Sequence, residues 1–214
     1  MMFEDARVMS VFDEYRLRAE ADRQRMRDLG PGGFAVRDEF LLPIGEDAAR
    51  FMHALILARK PERLLEIGTS YGYSTLVLAD AARAVGGKLI TMEIAGYKQD
   101  YARNMLEKAG LADYVDLRCG DAVELINADP GPFDFVLVDL WKELYAPCFR
   151  AFYPKLSEEA VLCSDNMIEP VSAREDVREY REEVRAKPDM QTVLLPIGSG
   201  IELSIKWSAG NSKM

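Results

Sequence analysis

Histidine occurs once in the chain, at position 53, and cysteine three times, at Cys119, Cys148 and Cys163. A cysteine nucleophile wants a histidine partner, and a zinc site wants clustered thiolates or imidazoles. Three cysteines without ligand spacing read instead as buried, reduced thiols of a cytosolic protein. No long uncharged apolar run occurs, and the first thirty residues carry charges throughout, so neither a signal peptide nor a transmembrane helix is expected. There is no basic block. With 27 Lys and Arg against 36 Asp and Glu, the net charge of −9 argues against nucleic acid and membrane surfaces as partners. Repeats and low-complexity segments are missing as well.

What is present is an alternation. An amphipathic stretch to Leu29, one or two helices, is stopped by Gly30-Pro31-Gly32-Gly33. Ala48, Phe51, Met52, Leu55 and Ile56 then form the apolar stripe of a helix, with His53 at its margin and expected on the surface side. From Arg63, "RLLEIG", "KLITMEI", "YVDLRCG", "FDFVLVDL" and "AVLCSDN" read as strands. Between them lie the helical "STLVLADAARAV", "YKQDYARNMLEKAG", "AVELINA" and "ELYAPCFRAFYPKL", and "AREDVREYREEVRAK" follows as one charged helix. "MQTVLLPI" and "IELSIKW", joined by Gly198-Ser199-Gly200, read as an antiparallel hairpin. Five βα units and a hairpin predict one doubly wound α/β domain over residues 1–214, mostly parallel with an antiparallel last strand.

The first strand runs into "EIGTSYGYST", a tight turn before a helix, where such folds hold nucleotides. It has no Gly-Lys-Ser/Thr ending, so it is not a P-loop, and its glycines do not make G-x-G-x-x-G. Glu66 just before the turn would repel a phosphate and welcome a cation. Glu93, Asp121 and Asp139 fall at the ends of the next three strands. Any one of these acids alone reads as a solvated loop residue or helix N-cap. Four in this order suit a ligand with a ribose, an adenine amine and a positive charge but no phosphate, and S-adenosylmethionine is such a ligand.

"VDLWK" puts Asp139 at a strand tip with Lys142 three residues on, and "SDN" puts Asp165 and Asn166 at the next tip. "SDN" alone reads as an Asx turn, and Lys142 alone as a surface lysine. Together, two carboxylates and an amide oxygen make a hard oxygen site for Mg²⁺, with Mn²⁺ or Ca²⁺ as alternatives, and leave about three positions for water or two vicinal hydroxyls. Beside such a cation and a sulfonium, the Lys142 ammonium is disfavoured and its pKa is expected to fall toward a usable base.

"LLEIGTSYGYST", "ITMEI", "VDLWKELY" and "CSDN", in this order from about Leu41 to Lys206, resemble the cation-dependent small-molecule O-methyltransferases, the family of the catechol and caffeoyl-CoA enzymes. "DLWK" is nearer the catechol type, and "LPIGSGIELSIK" is similar to the closing hairpin of bacterial members. The resemblance implies the class I methyltransferase sheet of seven strands plus an N-terminal extension, residues 1–44, of helices and a cofactor-covering loop. It implies that Gly68, Ser70, Gly72 and Ser74 lie along the methionine part of the cofactor, with Glu66 shaping the turn. Glu93 would accept the ribose hydroxyls. Asp121, Ala122 and Trp141 would edge the adenine, with Asp139 adjoining, and Leu42 and Ile44 would fold over the cofactor. It also implies methyl transfer to a small phenolic acceptor with vicinal hydroxyls, Lys142 as base, in a cytoplasmic homodimer. The alternatives are a CoA-linked phenol or other hydroxylated natural product as acceptor, or a non-catalytic S-adenosylmethionine-binding protein. The animal catechol enzyme's carboxylate near the second hydroxyl has no counterpart in "MQTVLLPI".

Overall fold

The computed structural model describes residues 2–207. Nine α-helices and seven strands alternate among these residues. They are α1 Ala6–Leu29, α2 Pro31–Ala35, α3 Glu46–Arg59, β1 Arg63–Ile67, α4 Tyr73–Val85, β2 Lys88–Glu93, α5 Gly96–Ala109 and β3 Val115–Cys119. There follow α6 Ala122–Ala128, β4 Phe133–Val138, α7 Tyr145–Phe152, β5 Leu156–Ser164, α8 Ala173–Asp176, α9 Arg178–Arg185, β6 Met190–Leu195 and β7 Ile201–Lys206. The sheet order is β3-β2-β1-β4-β5-β7-β6. The first five strands pair in parallel and β7 runs antiparallel to both its neighbours.

The central strands are apolar on both faces because helices cover both. Alternate residues serve two cores. Leu64, Leu89, Phe135, Leu137, Val161 and Cys163 pack under α1, α3, α4 and α5. Leu65, Ile67, Ile90, Met92, Val136, Val138 and Leu162 pack under α6, α7 and α9. The apolar side of α1, with Val8, Val11, Phe12, Tyr15 and Ala19, is buried within its own chain.

Four local expectations are corrected. His53 is buried, because α4 and the Phe3 ring of the N-terminal segment cover that side of α3. Its Nε2 stands 3.0 Å from Asp80 Oδ2, and Asp80 also accepts from Arg83 at 2.6 Å. Cys119 is exposed, while Cys148 and Cys163 are buried and burial pushes both thiols up to about 12. Strand β5 begins at Leu156, four residues before the expected start, because the pairing with β4 slips between Phe133 and Phe135 and Glu159 takes a φ of 63°. The slip breaks the alternation, and two outward acids, Glu158 and Glu159, read as loop. The charged C-terminal helix is interrupted at buried Val177.

Candidate functional site

The strand order reverses between β1 and β4, so their carboxyl ends border a crevice at the switch point. The turn from β1 into α4 lies in it. The Gly68 and Thr69 amides both donate to Met92 O at 3.0 Å. Gly68 has φ 107°, and a Cβ there would stand 2.0 Å from the Asp139 carbonyl oxygen. Gly72 has φ 91°, and its Cβ would stand 2.7 Å from Ala102 Cβ and 2.8 Å from Tyr15 Oη. Both positions therefore exclude a side chain, and the turn presses on neighbouring backbone. Ser70 takes the left-handed conformation, with φ 47°.

Three groups hold this turn. Glu93 Oε2 accepts from the Ser70 amide at 2.8 Å, while Oε1 accepts from the Ala95 amide at 2.9 Å. Each oxygen keeps a lone pair for a ligand hydroxyl. Tyr15 of α1 donates from Oη to the Tyr71 carbonyl at 2.7 Å. Beneath the turn, Glu66 is fully buried; Oε2 accepts from Thr75 Oγ1 at 2.5 Å and Thr91 Oγ1 at 2.6 Å. Its Oε1 has no protein partner. Burial pushes the Glu66 carboxyl up to about 7; the Ser74, Thr75 and Thr91 hydroxyls pull it down and the charge of Asp139 pushes it up. An orphaned buried oxygen under a cradle that excludes side chains fits the cationic amino-acid end of a sulfonium cofactor.

The next two tips extend the ladder by one step. The Asp139 amide donates to Ile67 O at 3.0 Å, and the Asp165 amide to Val138 O at 3.1 Å, which puts the two acids side by side. Asp165 is buried and its Oδ1 is unpartnered. Burial, then the charge of Asp139, holds its carboxyl well above the usual carboxylate range, and Asn166 and Lys142 oppose this. Asn166 takes φ 60°, and its Nδ2 donates to Glu169 O at 3.1 Å, so its amide oxygen is the end left for a cation. Lys142 Nζ stands 3.5 Å from Asp139 Oδ1 and donates to Leu140 O at 2.9 Å and Tyr145 Oη at 2.7 Å. Among the described residues no cluster of three or more His, Cys, Asp or Glu is poised for a metal; the donor set here is two carboxylates and an amide. An unpartnered buried carboxylate oxygen beside a second carboxylate fits a hard divalent cation.

The remaining expected residues divide. Asp121 is exposed and caps α6 by accepting from the Glu124 amide at 3.0 Å, with Ala122 following it. Trp141 is half-exposed and lies under the Arg37 guanidinium, 4.7 Å from its ring centroid. Ile44 is buried in the core, whereas Leu42 is exposed.

Several contacts of the site escape the sequence. Asp38 accepts from Lys98 Nζ and from Tyr97 Oη, and Tyr71 Oη donates to Glu39 O at 3.1 Å. With Arg37 over Trp141, residues 37–39 form a strap from the β4 tip to α5. Thr91 alone had a signal: it sits opposite Glu66 in the β1–β2 register, two residues before Glu93. After Asn166, the Met167 amide donates to Gly200 O and the Ile168 and Glu169 amides donate to Ser199 O, which pins that loop to the β6–β7 turn.

A seven-stranded sheet with an antiparallel last strand, an acid-flanked glycine turn and no phosphate loop defines a class I methyltransferase fold. The O-methyltransferase family model matches residues 35–207, and the chain belongs to that family. The chain is 28% identical over 183 residues to caffeoyl-CoA O-methyltransferase 1 of Eucalyptus globulus, covering 76% of this chain and 74% of that one. It is 28% identical over 131 residues to the catechol O-methyltransferase of Niastella koreensis, covering 59% of each. Among solved structures, the O-methyltransferase TomG of Streptomyces achromogenes in complex with S-adenosylmethionine superposes with a TM-score of 0.74 at 25% identity, covering 96% of this chain and 92% of that one. The protein is an S-adenosylmethionine-dependent O-methyltransferase.

Proposed function

We propose that this enzyme methylates one of two vicinal hydroxyls on a small catechol-like phenol, with a divalent cation held by Asp139, Asp165 and Asn166. The observation that carries the reading is the buried, unpartnered Asp165 Oδ1 beside Asp139, with Lys142 Nζ at 3.5 Å from the latter. The cofactor would lie along Gly68, Ser70, Gly72 and Ser74, over Glu66, with Glu93 at its ribose and Asp121, Ala122 and Trp141 toward its adenine.

When bound, Mg²⁺, Mn²⁺ or Ca²⁺ supplies Lewis acidity and a template for two adjacent oxygens. S-adenosylmethionine, held along Gly68, Ser70, Gly72 and Ser74, would supply an electrophilic methyl group with sulfur as its leaving group. Lys142 takes the proton of the attacking hydroxyl on Nζ. Glu66 and the glycine turn would hold the cofactor's amino-acid end, and Asp139, whose carbonyl packs on Gly68 and whose carboxylate would hold the metal, would orient the two reactants toward each other. Such positioning supplies much of the rate.

A second acceptor reading, a CoA-linked phenol, is supported by the name of the Eucalyptus relative. The test is methyl transfer to catechol, caffeate esters, caffeoyl-CoA and guaiacol with Mg²⁺, run with wild type and Lys142→Met. Loss of the general base is expected to lower turnover about 10²–10⁴-fold, while S-adenosylhomocysteine affinity changes little. Turnover of guaiacol, with one free hydroxyl, equal to that of catechol would overturn the vicinal-diol reading.

A further inference from the structure

Tyr145 is fully buried at the first turn of α7, three residues after Lys142, and no part of the proposed chemistry uses it. Its phenol hydrogen is committed, because Oη donates to the Asp165 carbonyl oxygen at 3.2 Å. A lone pair of Oη therefore accepts from Lys142, whose Nζ donates to it at 2.7 Å. The ring is confined by full burial, with Tyr180 packed edge-on against it at a centroid distance of 5.5 Å.

Lysine nitrogen is tetrahedral. As an ammonium it has three donors; as the amine that accepts a proton it has two N–H bonds and one lone pair. Here two fixed acceptors, Leu140 O at 2.9 Å and Tyr145 Oη at 2.7 Å, are close enough to take two N–H bonds. The third polar neighbour is Asp139 Oδ1 at 3.5 Å, a weaker contact that leaves one tetrahedral position of Nζ uncommitted on the side where the metal shell and acceptor are proposed to lie. We infer that Tyr145 is a positioning residue of the methyl-transfer reaction: with the Leu140 carbonyl it holds both N–H bonds of the Lys142 amine and so turns its lone pair toward the acceptor hydroxyl at the Asp139–Asp165 edge. The proton passes from that hydroxyl to Lys142 Nζ, and the oxygen's electron pair forms the bond to the methyl carbon as the carbon–sulfur bond breaks. The inference rests on the reading of Lys142 as the base.

The experiment is a double-mutant cycle of Lys142→Met and Tyr145→Phe, with Mg²⁺ and the best acceptor of the panel. Lys142→Met alone tests the base; if it keeps wild-type turnover, that reading falls and this inference with it. If it does not, Tyr145→Phe is expected to lower kcat about 10-fold or more, with acceptor KM and S-adenosylhomocysteine affinity unchanged, because Tyr145 is fully buried and belongs to neither proposed ligand site. In the Lys142→Met background the same change should alter the residual kcat by less than about two-fold, since a group acting through Lys142 loses its effect with it. Tyr153→Phe, which removes a hydroxyl that donates to Asp189 Oδ1 at 2.5 Å and leaves Lys142 untouched, is expected to keep wild-type kcat. Wild-type kcat in Tyr145→Phe, an equal fall in both backgrounds, or a Tyr145→Phe protein that does not fold would each assign Tyr145 to the scaffold and overturn the inference.

Discussion

Glu66 shows what the site demands of single residues. It is a fully buried carboxyl with one oxygen unpartnered and a pKa pushed up to about 7 from an ordinary 4.5. A raised folded-state value means that the folded protein binds the proton more tightly than the unfolded chain. Stability is then fullest below pH 4.5 and is lost as pH rises from 4.5 to 7, by roughly 3 kcal/mol over the whole window. Glu66→Gln cannot ionise, so without cofactor its melting temperature should gain on wild type as pH goes from 5 to 8. A difference between the two proteins that stays constant with pH would show that Glu66 does not titrate in that window. Glu93 has two tasks. Beyond the proposed ribose contact, its oxygens hold the Ser70 and Ala95 amides. Glu93→Ala should therefore weaken S-adenosylhomocysteine binding through a loosened turn as well as lost ligand bonds. At about 1.5–3 kcal/mol for each hydrogen bond to a charged group, calorimetry should record at least a ten-fold loss, and unchanged affinity would remove Glu93 from the site.

At the scale of elements, helix α1 supports the turn proposed to hold the cofactor. Tyr15 Oη holds the Tyr71 carbonyl, and Arg18 lies over the Tyr71 and Tyr101 rings, at 3.8 and 4.4 Å from their centroids. Tyr15→Phe leaves that buried carbonyl without its partner. The expected cost is about 1–3 kcal/mol, read as a lower denaturation midpoint together with weaker S-adenosylhomocysteine binding. A lower midpoint with full affinity would separate α1 from the cofactor. The Tyr15–Tyr71 bond joins residues 56 apart in sequence, and it and the Arg18 contacts leave no periodic trace, which is why α1 reads only as an amphipathic helix. The strands were legible for the opposite reason: β1 and β4 are largely buried on both faces and read as apolar runs interrupted only by Arg63 and Glu66 in β1 and Asp134 in β4. The start of β5 was hidden by its bulge, and buried His53 by a helix covered on more than one side. Acids at strand tips could be read because topology alone brings β1, β2, β4 and β5 to one edge. The 37–39 strap could not, since its partners Lys98 and Trp141 come from distant segments.

Across the whole molecule, the two proposed ligand sites share the Asp139 tip but rest on different residues. The proposed cofactor cradle is built from β1, the turn to α4 and the end of β2, and the proposed metal shell from the tips of β4 and β5. The acidic balance of the chain, −9 overall, suits a small cationic cofactor and a divalent ion better than a polyanionic partner. Separate donor sets mean that removing the metal should stop chemistry without emptying the cradle. The decisive measurement therefore follows methyl transfer to the best acceptor and S-adenosylhomocysteine binding on one metal-stripped preparation in EDTA. Methyl transfer should be abolished and binding nearly unchanged, with activity restored by Mg²⁺ or Mn²⁺ but poorly restored in Asp165→Ala. Full methyl transfer after exhaustive metal removal would contradict the account and leave a metal-independent O-methyltransferase on the same sheet.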